Sequence, residues 1–255
     1  MRILTLASGS SGNASIVQSG STCILVDAGI SARRITKHLS ELGIAPASLA
    51  GVLITHEHLD HVCGLGVLAK KHPLCVYCSR YTAQDLKPAA PAARYTYIEP
   101  GSPITIGDIT VTPFGVSHDA LDPLGYLFEH EGRRLGYITD TGCITREILL
   151  RARDLHALYL ESNYDTTMLR ESGRPLSLIE RIDNAFGHLS NEQAGEFVRT
   201  IAHPGLRHVL LGHLSRECNT PEKARSDMAA VLSEFPEPPQ LTVCPAADRT
   251  DWVEV

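Results

Sequence analysis

The 255-residue sequence predicts an α/β fold (α+β by some schemes) in four layers, with helices outside two central sheets. Three observations carry this expectation. Short, apolar, β-rich runs recur from the third residue almost to the end, and helical patterns lie between some of them. No linker, low-complexity tract or charge block divides the chain. One domain over residues 1–255 is the economical organisation, and a 43% hydrophobic content suffices for a large core.

In order, the candidate strands are Ile3–Leu6, Cys23–Val26, Val52–Thr55, Cys75–Cys78, Ile109–Thr112, Gly125–Phe128, Leu135–Thr139, Leu158–Leu160, His208–Leu211 and Gln240–Val243. The first five are expected in one sheet and the later five in the other. Between them, Ser31–Leu42 starts after a capping serine and stops at Gly43, so it reads as a helix. Val62–Lys71 reads as a helix ended by His72-Pro73. Thr145–Arg153 has apolar residues at 148, 149 and 152. Ser190-Asn191-Glu192-Gln193 is a capping box opening a helix that runs towards His203-Pro204. Thr220-Pro221-Glu222 is an N-cap followed by proline at the first helical position. The Ala- and Pro-rich stretch Lys87–Ala93 reads as a surface connection.

A net charge of -6 and a pI near 6.0 exclude a global basic field for nucleic acid, so any polyanion must be met by local arginines or by metal ions. No run approaches the roughly 20 apolar residues of a membrane span. Seven scattered cysteines fit free thiols in a reducing cytoplasm. Cys75-Val76-Tyr77-Cys78 has zinc spacing, but no second pair follows it, and buried thiols on a strand are the expectation.

The stretch Thr55-His56-Glu57-His58-Leu59-Asp60-His61 directs attention to metal chemistry. Three imidazoles and a carboxylate fall within six residues, directly after an apolar strand. On an extended segment His56 and His58 project to the same side. Asp60 and His61 follow where the chain turns into the next helix, so the four side chains can surround two neighbouring ions. Two ions about 3.5–4 Å apart can activate a water for attack on phosphorus or a carbonyl. Further ligands are sought at strand ends, where His118, Asp140 and His213 each follow an apolar run. Taken singly, a His or Asp there is commonly a cap or turn residue. Together with the first cluster they make seven ligands, the demand of two ions sharing an Asp.

In order along the chain, His56-x-His58-x-Asp60-His61, His118, Asp140 and His213 resemble the ligand motifs of the metallo-β-lactamase-fold hydrolases. Leu25-Val26-Asp27-Ala28-Gly29 resembles the first motif of that family, where the Asp is implied to brace the histidine loop. The resemblance covers almost the whole chain and implies an αββα sandwich with the metals at one edge. It implies that His56, His58 and His118 hold one ion, that Asp60, His61 and His213 hold the other, and that Asp140 bridges.

Fold does not set substrate, so other motifs must decide. Leu160-Glu161-Ser162-Asn163-Tyr164 and Gly187-His188-Leu189-Ser190 resemble motifs of the tRNA-3′-processing branch. There the His is implied to donate a proton to the leaving oxygen and the Glu to orient it, a service that a poor phosphodiester leaving group needs. The whole set is most similar to the YycJ/WalJ group of bacterial exonuclease-like enzymes, with Tyr164 where many relatives carry His. The loop Ala7-Ser8-Gly9-Ser10-Ser11-Gly12-Asn13 suits a tight hairpin turn or a backbone cradle for phosphate, which makes Ser10 and Asn13 candidate substrate contacts. Ser190 is another, as is Arg216, which stands beside His213.

The expectation is a binuclear phosphodiesterase with two divalent ions, zinc or manganese, acting on nucleic acid, DNA before RNA, as an exonuclease. A metal-bound hydroxide would attack, Asp60 would take the water's proton, and His188 oriented by Glu161 would act as general acid. The alternatives are an RNA-processing nuclease or a hydrolase of thioesters, lactones or cyclic nucleotides. A metal-binding sensor or scaffold is the alternative outside enzymes. Nothing in the sequence bears on oligomeric state.

Overall fold

The protein is described over residues 1–255 by a computed structural model. Its strands are β1 (Arg2–Ala7), β2 (Ala14–Ser19), β3 (Thr22–Val26), β4 (Gly51–Leu53), β5 (Cys75–Cys78), β6 (Arg94–Tyr97) and β7 (Ile104–Ile106). They continue with β8 (Ile109–Gly115), β9 (Leu124–His130), β10 (Arg133–Ile138), β11 (Ala157–Glu161), β12 (His208–Gly212), β13 (Gln240–Val243) and β14 (Val253–Glu254). The helices are α1 (Ala32–Glu41), α2 (Leu59–Val62), α3 (Leu65–Lys71), α4 (Arg80–Ala89), α5 (Arg146–Arg151), α6 (Thr166–Arg170), α7 (Leu176–Ile182), α8 (Asn191–Ile201) and α9 (Pro221–Leu232).

Two seven-stranded mixed sheets result, in the orders β14-β1-β2-β3-β4-β5-β6 and β13-β12-β11-β10-β9-β8-β7. Pairing is antiparallel from β14 to β3 and parallel from β3 to β6. The second sheet is parallel from β10 to β13 and antiparallel from β7 to β10.

The apolar runs lack polar alternation because both faces of each sheet are covered. Successive side chains go to different cores. In β3, Leu25 packs with Ile35 and Leu39 of α1 on the outer face, while Ile24 and Val26 face the other sheet. In β11, Leu158 and Leu160 face the α8 and α9 layer, and Tyr159 faces inward. The inner core joins Ile3, Ile24, Val26 and Leu53 of one sheet to Val111, Tyr126, Tyr137 and Leu210 of the other. Three cores between four layers make this an αββα sandwich of the metallo-β-lactamase fold.

Two expectations need correction. Ile109–Thr112 belongs to β8 in the second sheet, because β7, β8 and β9 form an antiparallel meander that ends on β10. The helix expected over Val62–Lys71 is two helices, α2 and α3, separated at Cys63-Gly64. Gly64 lies against the backbone of Ile30 and Ala32, where a Cβ would overlap the Ile30 carbonyl. Asp60 and His61 therefore sit within α2 rather than ahead of a helix. The Lys87–Ala93 stretch is helical up to Ala89. All seven cysteines are free, Cys75 and Cys78 included, and no helix is long and apolar enough to cross a membrane.

Candidate active site

The titratable residues singled out by the sequence follow the carboxyl ends of strands at one edge of the sandwich, apart from His188. Asp27 follows β3, the histidine loop follows β4, His118 follows β8, Asp140 follows β10, and His213 follows β12, while Glu161 ends β11. Side chains leaving these strand ends are free to converge, as at the switch points of other α/β sheets. Asp27, Asp140 and His213 have left-handed backbones, with φ of 59°, 51° and 54°. Such conformations are uncommon for residues with a side chain and turn the chain sharply at the strand end.

Donor atoms of His56, His58 and His118 lie within 4.8 Å of one another, and so do those of Asp60, His61 and His213. Asp140 lies between the sets. Its Oδ2 is 3.3 Å from His61 Nε2, and its Oδ1 is 3.8 Å from His118 Nε2. Asp60 Oδ2 is 3.5 Å from His61 Nε2 and 3.4 Å from His213 Nε2.

Four of the imidazoles are oriented in the same way. His56 Nδ1 meets Thr55 Oγ1 at 3.1 Å, and His61 Nδ1 meets Asp27 Oδ2 at 2.8 Å. His118 Nδ1 meets the Gly187 carbonyl at 3.0 Å, and His213 Nδ1 meets Glu161 Oε1 at 3.0 Å. Protein groups occupying Nδ1 leave each Nε2 for a metal, the usual arrangement around bound ions. The Nε2 atoms of His56 and His213 are buried and have no hydrogen-bond partner. An unpartnered buried nitrogen is costly, and a cation removes the penalty. The donor set of imidazole and carboxylate therefore fits divalent ions.

The electrostatics agree. Burial pulls the His61 pKa down, but Asp140 and Asp27 outweigh it and hold His61 well above its ordinary range. For His213, burial is outweighed by Asp140, Asp60 and Glu161, and the pKa is pushed up to about 10. Converging carboxylates thus create a field that holds positive charge. Burial raises the Asp60 carboxyl, yet the His213 and His61 rings beside it outweigh burial and leave it well below the carboxylate range. A carboxylate held ionised in this way suits ligation of a cation.

Glu161 is fully buried. Its Oε1 faces His188 Nδ1 at 2.7 Å as well as His213, and its Oε2 accepts from the Thr141 N–H at 2.9 Å. Burial pulls the His188 pKa down, but the Glu161 carboxylate more than reverses this and raises it. Asp27 braces the histidine loop, accepting from the Thr55 N–H at 2.8 Å besides His61.

An open cavity of about 290 Å³ is lined by His58, Asp60, His118, Asp140, His188 and His213. The candidate substrate contacts divide. Ser10 lines this cavity, whereas Asn13 is buried behind it, its amide 3.1 Å from His61 Nε2. Ser190 does not line it. Its hydroxyl accepts from the Gln193 N–H at 3.1 Å and caps α8. Arg216 lies outside and donates to Ser11 Oγ at 2.8 Å. The loop from Ser8 to Asn13 is the β1–β2 connection, and it also braces the site, with Ser8 Oγ accepting from the His213 N–H at 2.7 Å. Tyr164 is buried and donates to Asp183 Oδ1 at 2.8 Å. Sequence reasoning missed Arg174 and Arg181 and gave no role to Asp119 or Asn163, all of which line the cavity. Arg181 lies on α7 and Arg174 just before it, a short element whose apolar residues at 176, 179 and 182 were not read as a helix.

A protein-family model described as Beta-lactamase superfamily domain matches residues 22–214. A Bacillus anthracis protein named exodeoxyribonuclease YycJ is 38% identical over 232 residues, 90% of this chain and 88% of that protein. A Streptococcus pneumoniae protein named exodeoxyribonuclease WalJ is 36% identical over 235 residues, 90% of this chain and 87% of that one. The metallo-beta-lactamase fold protein YhfI from Bacillus subtilis superposes with a TM-score of 0.75 over 98% of this chain and all of its own, at 16% identity, which speaks to fold alone.

Proposed function

Because the chain belongs to the β-lactamase superfamily, and within it to the group of the YycJ and WalJ proteins, we propose that this metal-dependent hydrolase is a binuclear phosphodiesterase that shortens DNA from an end. The observation that carries the phosphodiester reading is the His188–Glu161 pair, 2.7 Å apart, with His188 lining the cavity beside His58, Asp60, His118, Asp140 and His213 and Glu161 buried behind it. An ester with a poor leaving group needs a proton donor beside the metals, and this pair supplies one.

On this reading His56, His58 and His118 hold one ion, Asp60, His61 and His213 hold the other, and Asp140 serves both. When bound, zinc or manganese supplies positive charge to the phosphoryl oxygens and lowers the pKa of water. The protein's own groups do the rest. Glu161 takes Nδ1 of His188 and fixes the ring, so Nε2 is the nitrogen that delivers a proton to the leaving oxygen. The Glu161 carboxylate raises the His188 pKa and so favours the protonated ring. Glu161 also holds Nδ1 of His213, so one carboxylate positions both the acid and a ligand. Asp60 acts as ligand and orienting group.

The test is a strand-resolved digest of end-labelled DNA and RNA by metal-free protein supplied with zinc or manganese. A ladder growing from one DNA end is expected. Turnover of a thioester or lactone panel with neither nucleic acid cut would overturn the reading, and preferential cutting of RNA would redirect it.

A further inference from the structure

Phe186 is 62% exposed although it stands only two residues before His188. Its backbone is firmly held. The Phe186 N–H donates to Asn184 Oδ1 at 2.7 Å, and its carbonyl accepts from the Asp119 N–H at 3.0 Å. On one side of it the Ala185 carbonyl accepts from Ser117 Oγ at 2.6 Å, and on the other the Gly187 carbonyl meets His118 Nδ1. The turn also lies on Gly142, where a Cβ would overlap the Asn184 carbonyl. An aromatic ring directed outward from so constrained a backbone is a preorganised face.

Asp119 links this turn to Arg181. The Asp119 carboxylate accepts from Arg181 at 2.8 Å (Nε) and 2.7 Å (Nη2), while its backbone holds Phe186. The Arg181 side chain is 63% exposed and lines the cavity with His118 and His188. An exposed pair of this kind is worth about 0–1 kcal/mol, so phosphate oxygens can displace Asp119 from the guanidinium. Arg174, held by exposed Glu217 at 2.9 Å, adds a second cation to the same wall. Arg174 and Arg181 are the two arginines that line the cavity, and a phosphate can engage either one by displacing its exposed carboxylate partner.

We infer that Phe186 and Arg181 form a subsite for one unpaired nucleotide beside the bond that is cut, with its base on the Phe186 ring and its phosphate on the Arg181 guanidinium. This rests on the phosphodiesterase reading and adds that the nucleotide beside the cut is held unpaired, its base resting on Phe186 rather than on its complement. Stacking is tolerant of base identity, since every base has a π-face.

The test uses metal-loaded protein, a single-stranded oligonucleotide, and versions with one abasic nucleotide placed at successive positions. Binding by anisotropy and cleavage are both read. At one position, loss of the base should weaken wild-type binding roughly tenfold, and should add nothing in Phe186→Ala. Arg181→Gln should lower the log–log salt slope of binding by about 0.7, one phosphate contact on a single strand. Equal abasic penalties in wild type and Phe186→Ala at every position overturn the subsite even if cleavage continues. A wild type that binds the oligonucleotide with this discrimination yet cuts nothing overturns the phosphodiesterase reading alone. One that binds no oligonucleotide removes both.

Discussion

At the scale of single residues, the site depends on which nitrogen of each imidazole is held. His188 and His213 share one carboxylate, Glu161, at 2.7 and 3.0 Å, yet they have different duties. Replacing His188 with Ala should slow DNA cleavage by roughly 10²–10⁴, the usual worth of a positioned acid. Bis-p-nitrophenyl phosphate, whose leaving group needs no proton, should lose far less. Equal losses on both substrates would assign His188 to metal binding or folding instead. Asp27 tests the brace. It accepts from the Thr55 N–H, Thr55 Oγ1 and His61 Nδ1, so Asp27→Asn leaves a ligand poorly oriented. Metal affinity at the His61 ion should fall about 10–100-fold, measured by competition with a chromophoric chelator. The candidate ligands were legible in the sequence because charged residues stood directly after apolar strands. Their Nδ1 partners were not, since Gly187 O and Glu161 approach His118 and His213 from distant segments. Nor did the sequence distinguish Asn13, which is buried against His61 Nε2, from Ser10, which lines the cavity.

At the scale of elements, local chemistry was legible where it was self-contained. The capping box of α8 forms as its four residues require, with the Ser190 N–H donating to Gln193 Oε1 at 2.8 Å and the Gln193 N–H donating to Ser190 Oγ at 3.1 Å. Because that hydroxyl is committed to the helix, Ser190→Ala should cost about 1 kcal/mol. A thermal midpoint lower by roughly 2–4 °C is expected, with KM for DNA within about twofold of wild type. A large rise in KM with an unchanged midpoint would return Ser190 to the substrate. Elements without a strong local pattern were missed. β2 carries Ser15 and Gln18 among its apolar residues, and β6 is largely exposed and rich in Tyr and Arg. α7 is only seven residues long and has no fully buried side chain, so its apolar residues at 176, 179 and 182 were passed over, although it supplies Arg181 to the cavity and Arg174 stands just before it. The assignment of β8 to the second sheet is a question of which strand it pairs with, and a sequence run carries no record of its partner.

At the scale of the whole molecule, the candidate ligands come from both sheets. His56, His58, Asp60 and His61 follow β4 in the first sheet, and His118, Asp140 and His213 follow strands of the second. Bound ions would therefore tie the two sheets together at the edge where Leu124 N–H already donates to the Thr55 carbonyl at 2.9 Å. Without metal, protons on His61 and His213 are the counterions of Asp140 and its neighbours. Both pKa values are raised on folding, that of His213 to about 10, against an unfolded value of about 6.5. A raised histidine stabilises the folded chain fully below the unfolded pKa and loses that contribution as pH climbs towards the folded one. His56 and His118, whose pKa values burial pulls down, are neutral in both states above about pH 6.5 and leave the sign unchanged. Metal-free protein should therefore melt progressively lower from about pH 6.5 to about pH 8, below the range in which thiols titrate. Metal must displace the same protons, so zinc binding near neutral pH should release about two of them and tighten with pH. At about 100 times Kd the ion should add about 2.7 kcal/mol to stability. Scanning calorimetry with and without zinc reads the first effect, and titration calorimetry in two buffers of different ionisation enthalpy reads the second. A metal-free midpoint that stays flat across this window, with no protons released, would show that the carboxylates at the sheet edge are not balanced by these two histidines.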